Sequence, residues 1–143
     1  MAAEIVIRPF EIEDEPQVVA MWQRCGLVVP WNDPHRDIRR KLAVQPDLLL
    51  VGEIDGAVGA TAMVGYDGHR GWINYLAVLP EYRGYGYGRA MVAHAEGRLK
   101  HLGCPKINLQ VRSTNFAVQS FYEHLGYVVD PVVNMGKRLI DDT

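Results

Sequence analysis

The chain has 143 residues, 48% of them hydrophobic and 22% charged, with a net charge of -2; that length and balance suit one domain with a buried core and no disulfide framework. The charge offers no basic face to nucleic acid or an anionic membrane, no apolar run reaches the length of a membrane span, and the N-terminus lacks the basic and long apolar regions of a secretion signal. Cys25 and Cys104 are expected as free thiols, in a soluble cytoplasmic protein.

Ile5 and Ile7 alternate with Val6 and Arg8 in a first predicted strand, closed by Pro9. Val18, Val19, Trp22 and Cys25 keep helical spacing from about Glu13 to Cys25, and Gly26 stands as a C-cap. Leu27 to Trp31 is an apolar connector broken by Pro30. Asp33-Pro34 supplies an N-cap and a first-turn proline for a second helix through about Val44, whose Arg36, Arg39, Arg40 and Lys41 are expected as a solvated face. Leu48 to Ile54, Asp55-Gly56 and Ala57 to Tyr66 spell a hairpin with a primed turn. A second turn, Asp67 to Gly71, leads to a strand at Trp72 to Leu79. The helix that follows would bury Met91, Ala95, Leu99 and Leu102, and Gly103 ends it. Lys106 to Arg112 is expected as a strand. Asn115 begins a helix with Val118, Phe121, Tyr122 and Leu125 on one side, stopped by Gly126. Tyr127 to Val129 and Val132 to Leu139 are expected as two closing strands around Pro131, with a fraying end beyond them. The early hairpins imply antiparallel pairing, and the long crossover helix implies one parallel pair.

Between the Trp72 strand and the long helix lies Leu76-Ala77-Val78-Leu79-Pro80-Glu81-Tyr82-Arg83-Gly84-Tyr85-Gly86-Tyr87-Gly88-Arg89. A strand, a bare-backbone loop and a helix start in succession make a phosphate seat, because loop N–H groups and the positive end of the helix dipole converge there. The run is no P-loop, since Gly-x-x-x-x-Gly-Lys-Ser/Thr appears nowhere. It is a poor dinucleotide fingerprint, since its glycines alternate with tyrosines. Read alone, it is a phosphate seat or a flexible turn.

Arg83-Gly84-Tyr85-Gly86-Tyr87-Gly88 after Leu-Ala-Val resembles the acetyl-CoA signature of the GNAT N-acetyltransferase superfamily. A second segment, Val111-Arg112-x-x-Asn115-x-Ala117 through Tyr122 to Gly126-Tyr127, resembles another family pattern. The element order is also the family's, and within it the chain is similar to the small bacterial YpeA-type acetyltransferases. The resemblance implies a GNAT (acyl-CoA N-acyltransferase) α/β fold over 1–143 as a single domain: a mixed, mostly antiparallel sheet with splayed fourth and fifth strands and helices on both faces. It implies acetyl-CoA as co-substrate, no metal, an amine acceptor of small-molecule or protein origin, and allows homodimerisation through the C-terminal strands. The backbone of Leu76, Ala77 and Val78 would pair with the pantetheine amides, which requires a bulge near Asn74 or Tyr75. The backbone from Arg83 to Arg89 would hold the pyrophosphate, with both arginines available for charge-assisted contacts. Asn115 would bind the pantetheine arm or cap its helix.

Direct transfer to an amine leaves a coenzyme A thiolate, which a tyrosine of pKa near ~10 can protonate. By the resemblance that tyrosine is Tyr122. No base is assigned. The family's glutamates are replaced here by Trp72 and Gln110, leaving Asp67, His69, Glu53 or a water relayed from Asn74. The acceptor side is expected to draw on Trp31, Asp33, Tyr66, Asp67, His69 and Asn74, an acidic and aromatic lining suited to polyamines, amino sugars or peptide N-termini. The missing glutamates also permit another class of function, a non-catalytic acyl-CoA sensor or regulatory module.

Overall fold

The turn at Asp55-Gly56 has both residues at positive φ (53° and 79°), the primed geometry whose twist matches that of its strands. It folds β2 (Leu49–Ile54) straight back as β3 (Ala57–Tyr66) in this computed structural model, which describes residues 3–143. β1 (Ile5–Pro9) pairs antiparallel with β2, and β4 (Gly71–Val78) antiparallel with β3. β5 (Ile107–Leu109) joins β4 in parallel after a crossover, so the sheet order is β1-β2-β3-β4-β5.

Four helices cover the two faces. α1 (Glu15–Arg24) and α2 (Pro34–Val44) lie on one side, where Val18, Val19, Met21, Trp22 and Ile38 pack on Leu49, Val51, Val58 and Ala77. α3 (Tyr87–His101) and α4 (Phe116–His124) lie on the other, where Met91, Val92, Ala95, Leu99 and Tyr122 pack on Leu50, Ala60, Ala62, Val64 and Ile73. Burying each large aliphatic side chain contributes about 1.5–3 kcal/mol, so both layers are driven by the same alternation along β2 and β3. Asp33 caps α2 by accepting from the N–H groups of His35 and Arg36, and Gly26 leaves α1 at φ 71°.

The second half of the chain departs from expectation. β5 spans three residues rather than Lys106 to Arg112, because β4 turns away beyond Ile73 and leaves nothing to pair with. Leu102 is exposed, and Val92 takes its place on the buried side of α3. Neither closing strand forms. Asp130 accepts from the Lys106 ammonium and the Asn108 amide, and Gln110 donates to Asn134, so side chains hold the segment beside β5 without a backbone ladder. Nor does the end fray. Asp142 is buried between Arg36 and Arg40 (3.2 and 2.8 Å), so the basic side of α2, solvated as expected, also carries ion pairs. Arg39 likewise pairs with Glu15 at 3.0 Å.

Candidate active site

The parallel ladder between β4 and β5 runs from Gly71↔Ile107 to Ile73↔Leu109 and stops. At that point β4 bulges. Met63 of β3 faces Asn74, but Thr61 faces Ala77, so β4 uses one residue more than its partner. Tyr75 absorbs the excess at φ 50°, in the left-handed region that costs a non-glycine residue about 1–3 kcal/mol. The bulge falls where the splay was expected. It also shifts the alternation of side chains: Ile73 belongs to the α3/α4 core, while Tyr75 and Ala77 belong to the α1/α2 core, with Leu76 and Val78 turned back.

Three contacts hold Tyr75 in this conformation. Its ring stacks on Trp22, with centroids 3.8 Å apart and planes at 14°. The buried Thr61 hydroxyl donates to the Tyr75 carbonyl and accepts from Trp22 Nε1, both at 2.9 Å. The Tyr75 hydroxyl donates to Asp37 Oδ2 at 2.6 Å. Burial first, and then the Asp37 carboxylate, raise the Tyr75 pKa, so the phenol stays protonated and remains the donor.

Beyond β4 the backbone is bare where it was expected to be. Gly84 and Gly86 both sit at positive φ (86° and 84°), and α3 starts with no side-chain cap. Its first helical bond runs from Ala90 N to Gly86 O, leaving the N–H groups of Tyr87, Gly88 and Arg89 uncommitted by helix geometry. Gly88 has a different reason to be glycine. A Cβ there would stand 3.3 Å from Phe121 Cζ, so its absence lets α3 close on α4. Tyr85 is exposed, whereas Tyr87 turns inward and its hydroxyl donates to the Ala3 carbonyl. Arg83 folds back, its Nε donating to the Val78 carbonyl at 3.0 Å, and Arg89 is exposed. Ala77 and Val78 are matched by Thr61 and Ala60 of β3 on one edge, with Leu76 in the bulge; on the other edge, β5 has already ended.

Asn115 caps α4 by accepting from Val118 N at 3.2 Å. Tyr122 is 7% exposed, edge-on to Phe121 and Tyr127 at 5.1 and 5.4 Å. Burial alone pushes its pKa up to about 12.

On the opposite face, directly at the bulge, is a cavity of about 390 Å³ lined by Leu27, Asn32, Asp37, Met63, Asn74 and Tyr75. Of the residues expected on the acceptor side, Asn74 lines this cavity. Trp31 is 48% exposed beside it, and Asp33 is occupied as the α2 cap. Tyr66, Asp67 and His69 lie at the far end of the β3–β4 hairpin. There the Asp67 carboxylate accepts from His69 N, Arg70 N and Trp72 Nε1, and the first two bonds dominate in lowering its pKa. Glu53 accepts weakly from Arg8 at 3.4 Å and is paired with Val58, well along the sheet from Asn74. Asp37 is the cavity's carboxylate, and sequence reasoning missed it. Its signal is positional: Pro34, Asp37, Ile38 and Lys41 follow i, i+3, i+4, i+7, so two polar residues share the inward stripe of α2.

Residues 12–127 match the Acetyltransferase (GNAT) family. An acetyltransferase of Sodalis glossinidius is 52% identical over 137 residues, covering 95% of this chain and 96% of that protein. The chain belongs to the GNAT acetyltransferase family. A Yersinia pestis acetyltransferase is 46% identical over 136 residues, with 95% and 96% of the two chains covered. Among solved structures, Ard1 from Thermoplasma volcanium superposes with a TM-score of 0.76 at 22% identity, over 88% of this chain and 84% of that one. The aminoglycoside acetyltransferase AAC(6')-Iy, solved with the bisubstrate analogue CoA-S-monomethyl-acetylneamine, does so with 0.74 at 18% identity, over 96% and 100%. These similarities carry the fold. Membership makes the chain a GNAT enzyme, an acetyl-CoA-dependent N-acetyltransferase, and among its described residues no helix is long and apolar enough to cross a membrane.

Proposed function

We propose that this GNAT enzyme transfers acetyl directly from acetyl-CoA to a primary amine seated in the cavity beside Asn74, with Tyr122 protonating the leaving thiolate. The observation that carries this reading is the gap beyond Ile73: a bulged β4 edge without a strand partner, with the Asp37 cavity on one face of the sheet and Tyr122 on the other. The residues fit coenzyme A. An uncapped helix start after two left-handed glycines suits a pyrophosphate, and the free edge at Leu76 to Val78 suits a pair of amides. Bound acetyl-CoA supplies the activated acyl group and the thiolate leaving group; the chain supplies position and protons.

Asp37 holds the acceptor's ammonium, assisted by the amide groups of Asn32 and Asn74, while Leu27, Met63 and the Tyr75 ring cover its alkyl part. A carboxylate is far weaker as a base than an alkylamine of pKa near ~10, so Asp37 serves recognition and the proton leaves through water at the open mouth. The neutral amine attacks the thioester carbonyl, forming the C–N bond. The C–S bond breaks as Tyr122 donates its proton to sulfur, and the surplus proton on the new amide nitrogen passes to water, which returns one to the Tyr122 phenolate. Burial weakens Tyr122 as an acid, yet the same surroundings raise the proton affinity of a thiolate formed against it.

Turnover of acetyl-CoA is measured with putrescine, spermidine, glucosamine, tyramine and a glycyl peptide. Saturable transfer to cationic amines is expected, with kcat/KM rising about tenfold per pH unit below ~9. Tight coenzyme A binding with no transfer to any amine would defeat the reading.

A further inference from the structure

The far end of the chain reaches the same cavity. Asp142 takes both arms of the Arg40 guanidinium, Nη1 to Oδ2 and Nη2 to Oδ1, each at 2.8 Å, and accepts from Arg36 Nη1 at 3.2 Å. Its side chain is 1% exposed. Arg40 stands one helical turn after Asp37, and its Nη1 lies 3.7 Å from Asp37 Oδ1, near enough for attraction but beyond a hydrogen bond. Gly136 lies six residues before Asp142, and between them Arg138 Nη2 donates to Asn32 Oδ1 at 3.0 Å. The segment therefore touches one wall of the cavity directly, at Asn32, and another through Arg40, at Asp37.

On the reading that this cavity receives the acceptor amine, we propose that Asp142 is a positioning residue: by binding Arg40 in a two-pronged pair it keeps that guanidinium from closing on Asp37. Asp37 and Arg40 are spaced i, i+3, a separation at which opposite charges on a helix attract. Two carboxylates compete for one guanidinium, and the one offering both oxygens in parallel wins. Asp37 then keeps one oxygen for the Tyr75 hydroxyl of β4 and the other for an ammonium. Of the other charged groups near it on α2, Asp33 is engaged with the helix start and with Arg36, and Lys41 donates to Gln45 Oε1 at 3.3 Å.

Asp142→Asn removes the second oxygen and the charge, so Arg40 should swing to Asp37 and compete with the substrate. With whichever of the five amines gives the highest kcat/KM, KM for the amine should rise about fivefold, the worth of one partly exposed ion pair, while kcat and KM for acetyl-CoA stay within twofold. Arg40→Gln in the Asp142→Asn background should return KM to within twofold of the parent, because no guanidinium is left to compete. A residue that merely straps the chain end would not be rescued in this way. Arg40→Gln alone should leave KM within twofold, a test that stands even if Asp142→Asn unfolds. An unchanged KM in Asp142→Asn, or an equal rise in the double variant, overturns the proposal while the cavity reading survives. If no amine saturates the parent enzyme, the cavity reading falls and takes this inference with it.

Discussion

In the proposed mechanism Tyr122 and Asp37 divide the work at the level of single residues. Tyr122→Phe keeps the ring against Phe121 and Tyr127 and removes the proton, so kcat should fall roughly 10²–10⁴-fold with little change in coenzyme affinity. A pH-independent, unchanged kcat would remove Tyr122 from the mechanism. Because burial holds its pKa at about 12, loss of the acid form should leave no alkaline limb below about pH 11. Asp37→Asn removes the cavity's anion while keeping a partner for the Tyr75 hydroxyl. The loss of a hydrogen bond to a charged group, about 1.5–3 kcal/mol, should lower kcat/KM for cationic amines roughly 10–100-fold, mostly through KM. Steady-state kinetics with the best amine of the panel checks both. Tyr122 was open to proposal from the sequence because its helix carries a patterned neighbourhood, Asn115 before it and Gly126 after it. Asp37 was not, because in sequence it is one carboxylate on a charged helix. Only the turned ring of Tyr75 gives it a partner.

Among the elements, the bulge in β4 decides most, and Thr61 is the residue that fixes it. Its hydroxyl is buried and used twice, by Trp22 Nε1 and by the Tyr75 carbonyl. Thr61→Val should cost about 2–4 kcal/mol in urea unfolding, since a buried donor and an acceptor are both left unpaired. It should also raise KM for the amine more than KM for acetyl-CoA, as Tyr75 relaxes from φ 50°. Equal effects on both substrates would argue against its role at the bulge. The strands and helices before Leu79 follow from alternation, caps and the Asp55-Gly56 turn, all of them local signals. The errors fall where pairing depends on distant geometry. Valines 128, 129, 132 and 133 have the composition of strands, but three residues of β5 give them no edge, and all four remain exposed. A left-handed tyrosine is likewise unreadable locally, because stacking on Trp22 is what holds it.

For the molecule as a whole, acid is the informative stress. The guanidinium of Arg40 holds the Asp142 carboxyl at about 2, and that of Arg8 holds Asp14 below its ordinary 3.8. A carboxyl depressed in the folded state contributes stability that is complete above its unfolded value and lost as pH falls through the folded one. Stability should therefore fall steeply between about pH 4 and pH 2. A shallower loss should begin below 6.5, where His94, its pKa lowered by burial, must charge more readily once unfolded. Urea midpoints followed by tryptophan fluorescence across this range check the profile. Equal stability at pH 7 and pH 2.5 would contradict it, and Asp142→Asn should flatten the lower portion.

The extra residue in β4 also makes this stretch count in odd and even. A strand has only two sides, and on both flanks of the bulge β4 already agrees with β3: Ile73 and Val78 share the α3/α4 face with Val64 and Ala60, and Ala77 faces Thr61. Removing Tyr75 alone would therefore restore strict parity and leave each neighbour on the side it now occupies; only the second consecutive residue turned toward α1 and α2 would be lost. The same one-residue cut in the regular part of β3, between Ala62 and Val64, would turn one flank over. This stretch of β4 should therefore accept a deletion of one residue that its neighbour strand cannot.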